Sequence, residues 1–213
     1  MNRGRLITIE GIDGAGKSTL AAGLLDALTD RGVDIRLLRE PGGVPAAERI
    51  RDVVIDPDLQ VTARTEALLY AAARAQLVEE AIEPILATGT WLLLDRFIDS
   101  SLAYQGGGRK LGIDAVRAIN DFAIRTARPD RTLLLLVNPQ QGRSRQSSRT
   151  SAPDRLEREH DDFFERTIAA YLKLAAQDPQ RIRKIDASMP PDQVLAAALG
   201  ELADLLPGSE PRG

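Results

Sequence analysis

The chain of 213 residues contains no cysteine and one histidine, His160. The first absence excludes disulfides, thiolate metal sites and a cysteine nucleophile; the second excludes a multi-histidine zinc site. No sign of charge dominates: 28 Lys and Arg against 31 Asp and Glu give a formal net charge of −3. That argues against a broad surface for nucleic acid or anionic membrane. No stretch approaches the roughly 20 apolar residues of a membrane span. The apolar run from Leu6 to Ile9 is too short for a signal peptide. A soluble, cytoplasmic protein is expected. Hydrophobic residues, at 43%, suffice for one sizeable core, so residues 1–206 are read as a single domain and 207–213 as a disordered tail.

What is present is an alternation. RLITIE at 5–10, VDIRLLRE at 33–40, WLLLD at 91–95, DRTLLLLVN at 130–138 and IRKID at 182–186 read as strands. Helical spacing predicts helices over 18–31, 45–55, 63–88, 114–127, 158–177 and 191–206, with Gly32 capping the first. Another helical stretch starts near Asp99 and is expected to break at Gly106–Gly108. Strands alternating with helices imply parallel pairing. Continuous apolar strands fit a sheet covered on both faces. The segment QGRSRQSSRTSAPDR at 141–155 lacks an apolar anchor and reads as a flexible basic strip.

GIDGAGKS at 11–18 fits G-x-x-x-x-G-K-[ST] between a strand and a helix. Its glycines let backbone N–H groups curl around phosphate oxygens, and the helix N-terminus adds positive potential. Lys17 can reach the β- and γ-phosphates, and Ser18 can hold Mg²⁺. WLLLD ends a buried strand on Asp95, which places a second Mg²⁺-positioning group beside the loop. The bland alternatives are a glycine-rich turn and an ordinary strand-terminal aspartate. A phosphate loop alone does not separate GTPases, transport ATPases and kinases. There is no N-K-x-D guanine-reading motif and no LSGGQ-like stretch.

Arg96 follows Asp95, where a guanidinium can hold a second phosphate. In DSSLAYQGGG, Ser101, Tyr104 and Gln105 share a helical face, as do Tyr70 and Arg74 in the long helix. Such groups could stack on and hydrogen-bond a flat heterocycle, but a capped helix with a partly buried tyrosine has the same spacing.

IEGIDGAGKST, REPGG, LLYAAARAQLVEEAIEPILATGTWLLLDRF, SSLAYQGGGR, RPDRTLLLLV and DRLE follow one another in order. Together they make the chain resemble bacterial thymidylate kinases from Leu6 to about Leu206. The resemblance implies a P-loop kinase fold, a five-stranded parallel sheet with helices on both faces, and a short arginine-rich lid at about 140–156. It implies ATP + dTMP → ADP + dTDP with Mg²⁺, and a homodimer packed through the helices after the first three strands. ATP is then expected over Gly11, Ile12, Asp13, Gly14, Ala15, Gly16, Lys17, Ser18 and Thr19, with Mg²⁺ at Ser18 and Asp95. Arg74 corresponds to the arginine at the thymine O4, and Ser101 and Gln105 to polar groups near the base edge. Tyr70 stands where an aromatic stacks on thymine, and Tyr104 where a ring crowds the sugar 2′ position. Arg51 and Arg96 match the clamp on the dTMP phosphate. Glu40 and Pro41 border that pocket, and Asp13 lies near the sugar 3′-hydroxyl.

The family usually has phenylalanine at the position of Tyr70, and often Tyr or His at that of Phe97. Some members carry an arginine inside the phosphate loop, whereas this loop has Ala15 and no arginine from Gly11 to Ser18. The charge must then come from elsewhere, and the lid offers it, although the same strip also reads as a solvated basic linker. Lys17, Asp95, Arg96, Arg149 and Arg155 are the expected catalytic set, with Arg145 and Arg143 of less weight. Two rivals stand beside this reading. The first is another nucleoside monophosphate kinase or a deoxynucleoside kinase, the latter needing a carboxylate base, for which Glu40 is the candidate; the second is a non-catalytic nucleotide-binding regulator, which would not need Lys17, Asp95 and Arg96 intact.

Overall fold

A computed structural model describes residues 3–147, 155–156 and 158–206. Five strands, β1 (Leu6–Glu10), β2 (Ile35–Arg39), β3 (Trp91–Asp95), β4 (Arg131–Leu136) and β5 (Ile182–Asp186), form one sheet in the order β2-β3-β1-β4-β5. All four pairings are parallel. Each crossover is helical, as parallel neighbours require.

Alternation along the strands divides the interior into two cores. Leu6, Leu92, Leu94 and Leu134 face one side; Ile7, Ile9, Leu93, Leu133 and Leu135 face the other. The second side is covered by α1 (Lys17–Thr29) and α9 (Pro191–Gly200), through Leu20, Leu24, Leu28, Val194 and Ala198. The first is covered by α2 (Pro45–Ile55), α3 (Ala63–Leu77), α6 (Ile113–Ile124) and α8 (Asp161–Gln177). The P-loop kinase architecture expected from the sequence is present.

The long helix expected over 63–88 is α3, a π-helical turn at Val78–Ile82, and α4 (Glu83–Ala87). Pro84 has no N–H to give the preceding turn, and the widened turn sits just before it.

The expected break falls just after Gly106–Gly108, at residues 109–112, rather than within the glycines. The helix begins as α5 (Ile98–Ser101) and runs on as a π-helix over Leu102–Gly108. The glycines serve packing instead. A Cβ on Gly107 would lie 2.5 Å from Ala170 Cβ, and one on Gly108 2.6 Å from the Phe163 ring. Helix α8 therefore approaches to backbone distance, and its burial overrides the poor helix propensity of glycine.

The basic strip also differs from expectation. Its first half is helix α7 (Pro139–Ser147). Arg149 lies outside the described residues.

Candidate functional site

The site forms where the C-terminal ends of β1, β2 and β3 open together, as is usual in parallel α/β sheets. The loop after β1 wraps its own lysine: Lys17 Nζ donates to the Ile12 carbonyl at 3.0 Å. Burial, then the Arg96 charge, pull the Lys17 ammonium down to about 8, against the opposing pull of Asp13 and Asp95. Ser18 Oγ donates to Asp95 Oδ2 at 3.0 Å, and Asp95 Oδ1 is buried without a hydrogen-bond partner. The two expected Mg²⁺ groups thus face each other across β1 and β3.

Helix α7 lies directly on the loop. Gly14 has φ +77°, and a Cβ there would stand 2.1 Å from the Gly142 carbonyl oxygen. Glycine at both positions lets two backbones touch.

Arg96 adopts φ 72° immediately after β3. This turn aims its guanidinium back over the loop, where Nη1 donates to the Gly11 carbonyl and to Ser100 Oγ, both at 3.1 Å. Nη2 pairs with Asp13, and the guanidinium stacks 5.0 Å from the Tyr104 ring centroid. Tyr104 donates its hydroxyl to Asp13 Oδ2 at 3.1 Å. Burial pushes the Asp13 carboxyl up, but the charges of Arg96 and Lys17 outweigh it and hold the group at about 2.

All ten residues expected around the acceptor line one cavity of about 250 Å³, together with Lys17, Ser18 and Asp95. Arg51 Nη1 donates to the Pro41 carbonyl at 3.0 Å. Arg74 is 2% exposed, and each of its five N–H groups has a protein acceptor. Nε and Nη2 reach Glu40 Oε2 at 2.8 and 2.5 Å. Nη1 reaches Ser101 Oγ at 2.9 Å and the Asn120 side-chain oxygen, and Nη2 also reaches the Phe97 carbonyl at 3.0 Å. Arg74 therefore organises the cavity wall as well as lining it. Ile55, Ser100 and Leu156 line the same cavity and were not singled out from sequence.

Arg155, expected in the catalytic set, is held outside the cavity lining. Its Nη1 pairs with Glu66 at 2.7 Å, its Nε donates to the Val54 carbonyl at 3.0 Å, and it does not line the cavity. It fastens the base of the lid to α2 and α3. A fully buried carboxylate, Glu66, draws it there.

A second cavity, about 350 Å³, opens on the other side of the loop between Ala15, Gly16, Thr19 and the segment after β5. Arg145 of α7 spans its edge by donating to the Ala187 carbonyl at 3.0 Å. Gly16 borders both cavities, so the two meet at the loop.

The family model for thymidylate kinase matches residues 9–198. This chain belongs to the thymidylate kinase family. Among curated relatives, the thymidylate kinase of Chromobacterium violaceum is 48% identical over 188 residues, 88% of each chain. That of Halorhodospira halophila is 44% identical over 96% of each chain. That of Bordetella petrii is 47% identical over 95% of this chain and 97% of its own.

Among the described residues, no group of three or more His, Cys, Asp or Glu could hold a metal, and no helix is long and apolar enough to cross a membrane. His160 is the N-cap residue of α8 and does not line either cavity.

Proposed function

We infer that this protein transfers the γ-phosphoryl group of ATP to dTMP, giving ADP and dTDP. The observation that carries the reading is the pair of cavities meeting at Gly16, one lined by Lys17, Arg51 and Arg96 and the other by Arg145 and apolar groups. The Arg51 and Arg96 guanidinium groups in the first suit a phosphate monoester, to which both can give charge-assisted hydrogen bonds. The Glu40 carboxylate, the base a nucleoside kinase would need, holds Arg74 through Oε2, while its Oε1 is buried without a hydrogen-bond partner. The flat Arg145 guanidinium above Ala187, Met189 and Pro191 suits the adenine ring.

The acceptor phosphate is ionised at neutral pH, so no general base is required. The residues position and neutralise. Lys17 exchanges the Ile12 carbonyl for phosphate oxygens. Arg96 holds the acceptor phosphate near the loop, braced by Asp13 and Tyr104. Ser18 and Asp95 suit Mg²⁺, since one carboxylate and one hydroxyl leave room for phosphate and water ligands. That ion, when bound with ATP, neutralises charge on the β- and γ-phosphates. Tyr70 stacks on the base, and Ser101 and Gln105 read its edge. Arg149 supplies charge to the transferring group from the lid, while Arg155 anchors the lid.

The active form is a homodimer. Leu68 of α3 and Phe122 of α6 are 56% and 87% exposed, an apolar surface suited to a partner subunit. Its substrates place it in the cytoplasm. Assaying ATP-dependent conversion of dTMP against thymidine tests the reading.

A further inference from the structure

Glu66 sits on α3, one turn before Tyr70, and is fully buried. Its Oε1 accepts from Gln105 Nε2 at 2.8 Å and from Arg109 Nε at 3.2 Å. Its Oε2 accepts from Arg109 Nη2 at 3.0 Å and from Arg155 Nη1 at 2.7 Å. A carboxylate between two guanidinium groups accepts hydrogen bonds and donates none. Gln105 must therefore turn its NH₂ toward Glu66, which leaves its carbonyl oxygen for other partners. Ser101, also lining the cavity, accepts a bond from Arg74, so its hydroxyl proton is available to a ligand.

We propose that Glu66 is a specificity-positioning residue: by fixing the Gln105 amide it presents an acceptor to the N3–H of the pyrimidine, while Arg74 and the Ser101 hydroxyl it holds present donors at O4. Thymine and uracil match this pair. Cytosine is mismatched at both atoms, because its N3 is an acceptor and its 4-amino group a donor. A site whose buried polar groups are left unpaired discriminates strongly. The discrimination thus originates in a residue that does not line the cavity.

The inference rests on the proposed dTMP kinase activity, and one experiment separates the two. Wild type, Glu66→Gln and Glu66→Asp are assayed with ATP and dTMP, dUMP or dCMP. Glutamine can donate as well as accept, so it frees the Gln105 amide to flip. Aspartate keeps the charge for both arginines but withdraws it from Gln105, which protects the fold. In both variants the ratio of kcat/KM for dTMP over dCMP is expected to fall about ten-fold or more. The ratio for dTMP over dUMP should stay within about two-fold, since both bases carry N3–H, and the dTMP effect should lie in KM more than in kcat. Folded variants with an unchanged dTMP/dCMP ratio overturn the proposal. So does a parallel loss of dTMP/dUMP discrimination, which would mean general loosening of the pocket. A wild type inactive on dTMP would instead overturn the functional reading.

Discussion

The ammonium of Lys17 donates to the carbonyl of Ile12 at 3.0 Å, across the loop that carries it. Burial and Arg96 hold its pKa near 8, below the ordinary 10.5. ATP places anionic oxygens at the ammonium and should raise that pKa again. At about pH 9, ATP binding should therefore take up about one proton, and at pH 7 none through this group. Calorimetry in buffers of different ionisation enthalpy reads the number directly. Lys17→Met should abolish the uptake; equal values at both pHs in the wild type would contradict this account of the loop.

Arg74→Ala removes five hydrogen bonds and leaves Glu40 buried without its cation. Such a change costs about 3–5 kcal/mol of stability. The loss should be smaller in a Glu40→Gln background, because the two groups are coupled. Denaturant unfolding of the four proteins checks this, and binding of dTMP should weaken well beyond binding of ATP. Additive losses would mean that the pair does not act as one unit.

Glu10 gives stability a pH dependence. Its carboxylate accepts from Phe97 N and Ser100 Oγ at 2.8 and 2.5 Å, and from the Tyr171 hydroxyl at 2.9 Å. Burial, then the Asp99 charge, raise its pKa from 4.5 to about 7. Between those values the folded state holds a proton that the unfolded chain releases. Its contribution is therefore greatest below about pH 4.5 and is lost as pH rises through 7, at up to about 1.4 kcal/mol per unit. Asp13 acts oppositely: its contribution is present above about 3.8 and is lost as pH falls through about 2. Glu10→Gln should flatten the unfolding free energy between pH 5 and 7. A slope equal to wild type would show that Glu10 is not its source.

The lid arginines should separate by kinetics. Arg149→Ala is expected to lower kcat about 10²-fold with small KM changes. Arg145→Ala should raise KM for ATP. Arg155→Ala should reduce stability and raise KM for dTMP, since it removes one cation from Glu66. A loss confined to kcat in Arg155→Ala would return Arg155 to the catalytic set.

The strands were legible because each is a short apolar run between turn signals, and the phosphate loop because its chemistry is local. The face carrying Tyr70 and Arg74 also carries Glu66 at the same four-residue spacing, so its membership of the site was available in the sequence. Its burial was not, because that depends on Arg109 and Arg155 arriving from distant segments. Glu10 alternates with Leu6 and Thr8 and so shares their inward face, but Ser100 and Tyr171 close over it only in three dimensions. Gly106–Gly108 misled because α8, more than fifty residues away, pays the helical cost. The second cavity had no local signature: Ala187 and Met189 follow an ordinary strand, and only the sheet order brings them to α1.

The most direct measurement is ADP release by the purified protein with ATP and Mg²⁺ in the presence of dTMP or thymidine. The account predicts rapid turnover with dTMP, formation of dTDP, none with thymidine, and loss of turnover in Lys17→Met. Turnover of thymidine without turnover of dTMP would contradict it.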